Sequence, residues 1–153
     1  MNKKGFTLIE LIAVVVIMAI IALIATPNIV NMMDKGKKED YVADAKEIIS
    51  KATYMYKLEK YENKFDGDKI YLKDINGIDD DFKDPYGFSY DKAKSYVDFS
   101  PSGSSGLSER QVRIHLISTN TKGECHYLDG EKNEIDADSV KQGTIENSTC
   151  PSS

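Results

Sequence analysis

Apolar and polar positions are distributed very unevenly along the chain. From Leu11 to Ala25, fifteen consecutive residues carry no polar side chain, and Phe6, Leu8 and Ile9 extend the block to twenty residues interrupted only by Thr7 and Glu10. A helix rising ~1.5 Å per residue carries such a block across roughly 30 Å, the thickness of a bilayer's hydrocarbon core. After Pro27 the pattern becomes striped. Tyr41, Ala45, Ile48, Ala52 and Met55 recur at alternating spacings of four and three, flanked by Val42, Ile49 and Tyr56, while Lys46, Glu47, Lys51 and Lys57 fall on other faces. That is an amphipathic helix with one side for a core. The pattern predicts one helix from Phe6 to about Leu58, apolar all round over 6–26 and striped over 27–61. Pro27 removes a hydrogen bond and is expected to kink or locally break it, and Gly36 weakens it locally.

The remainder, 62–153, reads as short strands and loops. Lys69–Ile75 is a connector or short strand. Phe88–Tyr90, Ser95–Phe99 and Gln111–Ser118 are better strand candidates, with Val112, Ile114 and Leu116 alternating. Asp84-Pro85-Tyr86-Gly87 is a turn, because proline fixes one dihedral and glycine permits another. Ser100–Ser108 is a glycine- and serine-rich loop. The expected fold class is α+β, a long N-terminal helix packed against a small antiparallel sheet.

Composition then narrows the picture. The chain has 153 residues and a formal net charge of -5, room for one compact head. An acidic surface does not displace counterions from nucleic acid, so no direct nucleic-acid binding is expected. A mean hydropathy of -0.42 hides the apolar head of the chain. Lys3 and Lys4 precede the apolar block, which places the N-terminus in the cytoplasm and the C-terminal region outside. A cleavable secretory signal fits poorly, because the run is long and Glu10 intrudes at its start. A plain anchor has the right length but leaves Glu10 unexplained. A carboxylate inside a bilayer costs ~2.5–3.5 kcal/mol on insertion scales, so such acids usually have a partner or a function.

The run Lys4-Gly5-Phe6-Thr7-Leu8-Ile9-Glu10-Leu11-Ile12 resembles the class III signal of type IV prepilins and of their relatives, the pseudopilins. The resemblance covers Met1–Pro27. It implies cleavage after Gly5 by a dedicated prepilin peptidase, which removes the 1–5 leader, and methylation of the new amine of Phe6. It also implies that Glu10, at the fifth mature position, attracts the amine of a neighbouring subunit during assembly. Cleavage would remove Lys3 and Lys4, taking the formal charge from -5 to -7, and create a cation at Phe6. Neutralisation in low dielectric would then reward one axial register. Pro27 matches the family's proline at the twenty-second mature position. Ala19 departs from the glycine common at the fourteenth, which weakens any expectation that the helix melts there.

The family also implies a membrane-stored precursor, then a surface-exposed helical homo-oligomer built through the N-terminal helices by an assembly platform and an ATPase. Such pili serve adhesion, twitching motility or DNA uptake. The alternatives are a pseudopilin of a type II secretion or competence system, since the Asp84–Gly87 turn is similar to one in some pseudopilins, and a membrane-anchored extracellular binding module. Cys125 and Cys150 are the only cysteines. Spacing alone does not establish a bond, but an external compartment favours one, and many pilins close a C-terminal loop this way. Closing about 26 residues stabilises by roughly 3.5 kcal/mol in the chain-entropy model.

Other signals are weaker. His126 beside Cys125, together with His115, lacks the four tightly spaced ligands of structural zinc. Asp79, Asp80, Asp81 and Asp84 lack the spacing of a calcium loop and read as a solvated acidic run. Asn147-Ser148-Thr149 fits a glycosylation acceptor, a frequent tripeptide. No phosphate-binding loop or catalytic triad context appears, so no metal, cofactor or enzymatic activity is expected.

Overall fold

The computed structural model describes residues 5–61, 68–79, 81–99, 112–144 and 150–151, apart from the side chains of 25–27, 60 and 61. The chain divides into two compact units, Met1–Gly36 and Lys37–Ser153. Helix α1, Leu8–Tyr61, starts in the first and ends in the second. Its assignment runs through Pro27 and Gly36 without interruption.

In the first unit the described apolar side chains are exposed. Phe6 is 90% and Leu23 79% exposed, and Leu11, Val14, Ile17, Ile20, Ile21 and Ile24 are also exposed. The same holds for Ile29, Val30, Met32 and Met33. Full burial of one such side chain is worth about 1.5–3 kcal/mol. A continuous apolar surface of this kind demands lipid or protein neighbours. Among the described residues, no single helix is long and apolar enough to cross a membrane, whereas the bent pair Leu8–Ile24 and Asn28–Glu59 together meet that test by length and composition.

The second unit is built on the striped part of α1. Tyr41, Val42, Ala45, Ile48, Ile49, Ala52 and Tyr56 are buried in one cluster with Ile70, Val97, Ile114, Leu116, Leu128 and Val140 from the strands. The expected packing of this half of the helix on the sheet is therefore observed. The strands are β1 Lys69–Tyr71, β2 Ser89–Tyr90, β3 Tyr96–Asp98, β4 Arg113–Thr119, β5 Glu124–Glu131 and β6 Val140–Thr144. They form one antiparallel sheet in the order β1-β3-β4-β5-β6, with β2 pairing the far end of β4. The α+β expectation holds.

Register follows from alternation. Ile114 and Leu116 face the core, and Leu116 sits opposite Leu128. A shift of one residue would exchange them for Arg113 and His115. On the other face a row of Tyr71, Tyr96, His115 and Asp129 crosses four strands, with Arg113 pairing Asp129 at 2.6 Å.

Lys69–Ile75 combines both expectations, a three-residue strand followed by a 3-10 turn at Leu72–Asp74. Two strands had no clear sequence signal. β5, the longest, reads Glu-Cys-His-Tyr-Leu-Asp-Gly-Glu and carries a histidine on its inner face, so polarity hides its alternation. β6 is introduced by a capped 3-10 turn, in which Asp136 accepts from the N–H groups of Asp138 and Ser139. The Ser100–Ser108 loop, the leader residues before Gly5, Asp80 and the Asn147–Thr149 tripeptide lie outside the described residues.

Candidate functional site

Gly5, Phe6 and Thr7 have non-helical backbone, and α1 begins at Leu8. The start is set by Thr7 and Glu10. The Glu10 carboxylate accepts from the Thr7 N–H and from the Thr7 hydroxyl, both at 2.9 Å. In return the Thr7 hydroxyl oxygen accepts from the Glu10 N–H at 3.4 Å. This is a reciprocal capping box, and it satisfies two of the donors that a helix start leaves unpaired. The signal was present in the sequence as Thr-x-x-Glu before an apolar run, but the reading of Glu10 as an intramembrane acid passed over it.

The Gly5–Phe6 peptide thus lies immediately outside the helix. A Cβ built on Gly5 meets nothing within 4 Å, so this chain's own packing does not require glycine there. Pro27 lies within the helical span, and its side chain is not among those described.

Cys125 and Cys150 form a disulfide with their Cα atoms 6.2 Å apart. Cys125 sits opposite Gly143 on β6, on the side of the sheet away from the core. Alternation then sends His126 inward. The two neighbours in sequence therefore point to opposite faces, which removes the conceived Cys–His ligand pair. Among the described residues, no three His, Cys, Asp or Glu side chains come together to hold a metal ion.

His126 instead joins a buried polar cluster that sequence reasoning missed. Asp84 is 4% and His126 5% exposed. One Asp84 oxygen accepts from the N–H groups of Tyr86 and Phe88 at 2.9 and 2.7 Å. The other lies 2.6 Å from the Ser118 hydroxyl, which donates to it, and 3.0 Å from His126 Nδ1. Tyr86 and Phe88 cover the imidazole, with ring centroids at 4.0 and 4.5 Å. The Tyr41 hydroxyl closes the cluster from α1, 3.4 Å from the Ser118 hydroxyl and donating to the His126 carbonyl at 3.3 Å.

Burial pushes the Asp84 carboxyl up, but hydrogen bonds from His126, Ser118 and the Phe88 N–H outweigh it and hold it below the usual carboxylate range. Nearby, burial pushes the Asp44 carboxyl up against the opposing hydrogen bond from Tyr90. The Asp-Pro-Tyr-Gly turn is as expected, with Gly87 at φ 88° and its N–H donating to the Asp84 carbonyl at 2.8 Å. Its aspartate proves to be the anchor of the whole cluster. Ser118 donates to Asp84 at 2.6 Å and, more weakly, to the His126 backbone carbonyl at 3.5 Å, and is fully buried. The arrangement fastens helix, turn and two strands together.

Residues 1–26 match the prokaryotic N-terminal methylation motif. This is the class III signal peptide of type IV pilins and pseudopilins. The motif supports a secreted subunit of the pilin or pseudopilin kind, whose role is structural. The capping box and the bond that precedes it lie wholly within the matched residues. No curated protein and no solved structure matches the chain.

Proposed function

We propose that the chain is a type IV prepilin, cut between Gly5 and Phe6 by prepilin peptidase, N-methylated at Phe6 and assembled into an extracellular pilus. The observation that carries the reading is a helix that exposes apolar side chains from Leu8 to Ile24, directly after a non-helical Gly5–Phe6 bond and with a Glu10 carboxylate in its first turn. Before assembly, lipid of the cytoplasmic membrane covers this surface, with the N-terminus cytoplasmic. In the pilus the same surface is covered by other subunits, so the assembly platform and its ATPase exchange one apolar environment for another. The 1–5 leader, the 6–26 filament-core segment, the 27–61 amphipathic half and the 62–153 head divide the labour.

Glu10 has two partners in this reading. Its own Thr7 caps it in the isolated chain, and the methylated amine of a neighbouring Phe6 takes it up in the filament. Neutralising one charge with another in low dielectric favours a single register, and removing only one partner strands the other. Pro27 kinks the helix by removing one of its hydrogen bonds. The disulfide-closed C-terminus favours a pilus over a pseudopilus of a secretion or competence system, and the Asp84–Gly87 turn keeps that second reading in view. A membrane-anchored binding module is the reading of another class.

The test is intact mass and N-terminal sequence of protein sheared from the surface of its native cells. A chain beginning at N-methylated Phe6 is the expected result, and a chain beginning at Met1 found only in membranes sinks the proposal. Gly5→Leu should block cleavage while leaving the fold intact, since nothing crowds that Cβ. Glu10→Ala should insert and be cleaved but enter no filament, whereas an anchored module would tolerate it.

A further inference from the structure

The head contains one Asn-Gly dipeptide, Asn76-Gly77, and its surroundings differ from those of Asn120. Both residues are exposed and lie in a turn, where Gly77 has φ 81°. Among the described residues, no hydrogen bond holds the Asn76 side chain or the Gly77 N–H. A Cβ built on Gly77 would have only Lys51 Nζ nearby, at 3.8 Å. Glycine adds no side chain of its own to obstruct the approach of its nitrogen to the Asn76 side-chain carbonyl carbon.

Asn120 shows the opposite case. Its Oδ1 accepts from the N–H groups of Lys122 and Glu124 at 2.9 and 3.0 Å, and its Nδ2 donates to Glu124 at 2.6 Å. The residue after it is the β-branched Thr121.

We infer that Asn76 is a site of spontaneous deamidation and backbone isomerisation in the folded head. The deprotonated Gly77 nitrogen attacks the Asn76 Cγ, a C–N bond forms, and the bond from Cγ to Nδ2 breaks with release of ammonia. Water then opens the five-membered imide. Hydrolysis at the side-chain carbonyl leaves aspartate at 76, and hydrolysis at the main-chain carbonyl leaves isoaspartate, with the chain routed through the former side chain. Only water is consumed, the proton taken from the Gly77 nitrogen leaving with the ammonia, with no change of oxidation state.

The position gives the reaction a structural consequence. Lys51 Nζ donates to the Gly77 carbonyl and Lys92 Nζ to the Ile78 carbonyl, each at 2.9 Å. The isomer inserts a methylene one residue before the first of these anchors and two before the second. Either product adds a carboxylate to the turn whose Gly77 carbonyl Lys51 holds, and Lys51 already pairs with Glu47 at 3.0 Å. The negative charge competes for that ammonium, and the loop loses its register on α1. A head thereby acquires a chemical mark of its age, whether or not it sits in a filament.

The experiment incubates the purified, folded full-length chain in detergent at mildly alkaline pH and follows the tryptic peptides Asp74–Lys83 and Ile114–Lys122 by mass and isoaspartate content. Asn76 should convert at least about tenfold faster than Asn120, with isoaspartate among the products. The Asn76→Gln variant should stay folded by circular dichroism and show no conversion at 76. Equal rates at the two sites overturn the inference. So does an Asn76 that stays intact in the folded chain but converts after unfolding in guanidinium, because the fold would then protect it.

Discussion

Replacing Asp84 with alanine should be among the most damaging single changes in the head. The carboxylate is buried and serves four donors: the backbone N–H groups of Tyr86 and Phe88, the Ser118 hydroxyl and the His126 ring. Alanine strands all of them. A buried donor left unpaired costs about 1–3 kcal/mol. The four do not add independently, since the side chains can turn to other partners, and removal of one member of a buried pair typically costs ~3–5 kcal/mol in total. For a head of this size that amounts to a fall of about 10–25 °C in Tm.

Asp84→Asn separates charge from hydrogen bonding. Its carbonyl can still accept from Tyr86 and Phe88, so its cost should be about 1–2 kcal/mol. The charge has a signature in pH. The folded carboxyl lies below its ordinary value, so its contribution is fully present above the unfolded carboxylate pKa and is lost as pH falls through the folded one. Thermal or denaturant melts of the detergent-solubilised chain, read by circular dichroism from neutral pH to about pH 3, measure both effects. The gap between wild type and Asp84→Asn should narrow as the solution is acidified. A loss below ~1 kcal/mol for the alanine variant, or a gap that does not change with pH, would refute the assignment of Asp84 as an ionised anchor.

Other outcomes follow from single observations. Gly130→Ala places a Cβ 2.8 Å from Ile135 Cγ2, and overpacking of this kind should cost about 1–3 kcal/mol by denaturant titration. Paired substitution of Cys125 and Cys150 by serine should lower head stability by roughly 3.5 kcal/mol without changing the far-ultraviolet spectrum. Thr7→Val removes the hydroxyl half of the capping box and should weaken the first turn of α1 by ~0.5–2 kcal/mol. Amide exchange at Leu8–Leu11 measures that fraying, and Thr7→Ser should restore the protection.

Legibility differed from element to element. The long helix could be read directly, because a run of apolar residues and a stripe of period 3.6 are local properties of the chain. Strands β3 and β4 could be read because inward Val97, Ile114 and Leu116 alternate with polar neighbours. β5 could not. One inward position is His126, whose polarity makes sense only beside an aspartate 42 residues earlier in the chain. The capping box was readable in principle, since Thr7 and Glu10 lie within one turn. It was overlooked because the same glutamate also invites a longer-range explanation. Cys125 and His126 look like a ligand pair on paper, and the pleat separates them.

The sequence by itself determined that a run of apolar residues follows the Gly5–Phe6 junction, that its continuation has one face for a core, and that Asp84–Gly87 turns the chain. These features depend on neighbours within a few residues, where side-chain period and dihedral preference act without help. Only the tertiary structure decided that Asp84, Ser118, His126 and Tyr41 meet, that Cys125 bonds Cys150 on the outer face, and that Asn76 stands unheld while Asn120 is locked. Those outcomes depend on long-range packing, and for Ser118, Cys125 and His126 on strand register, where a one-residue slip would send each side chain to the opposite face.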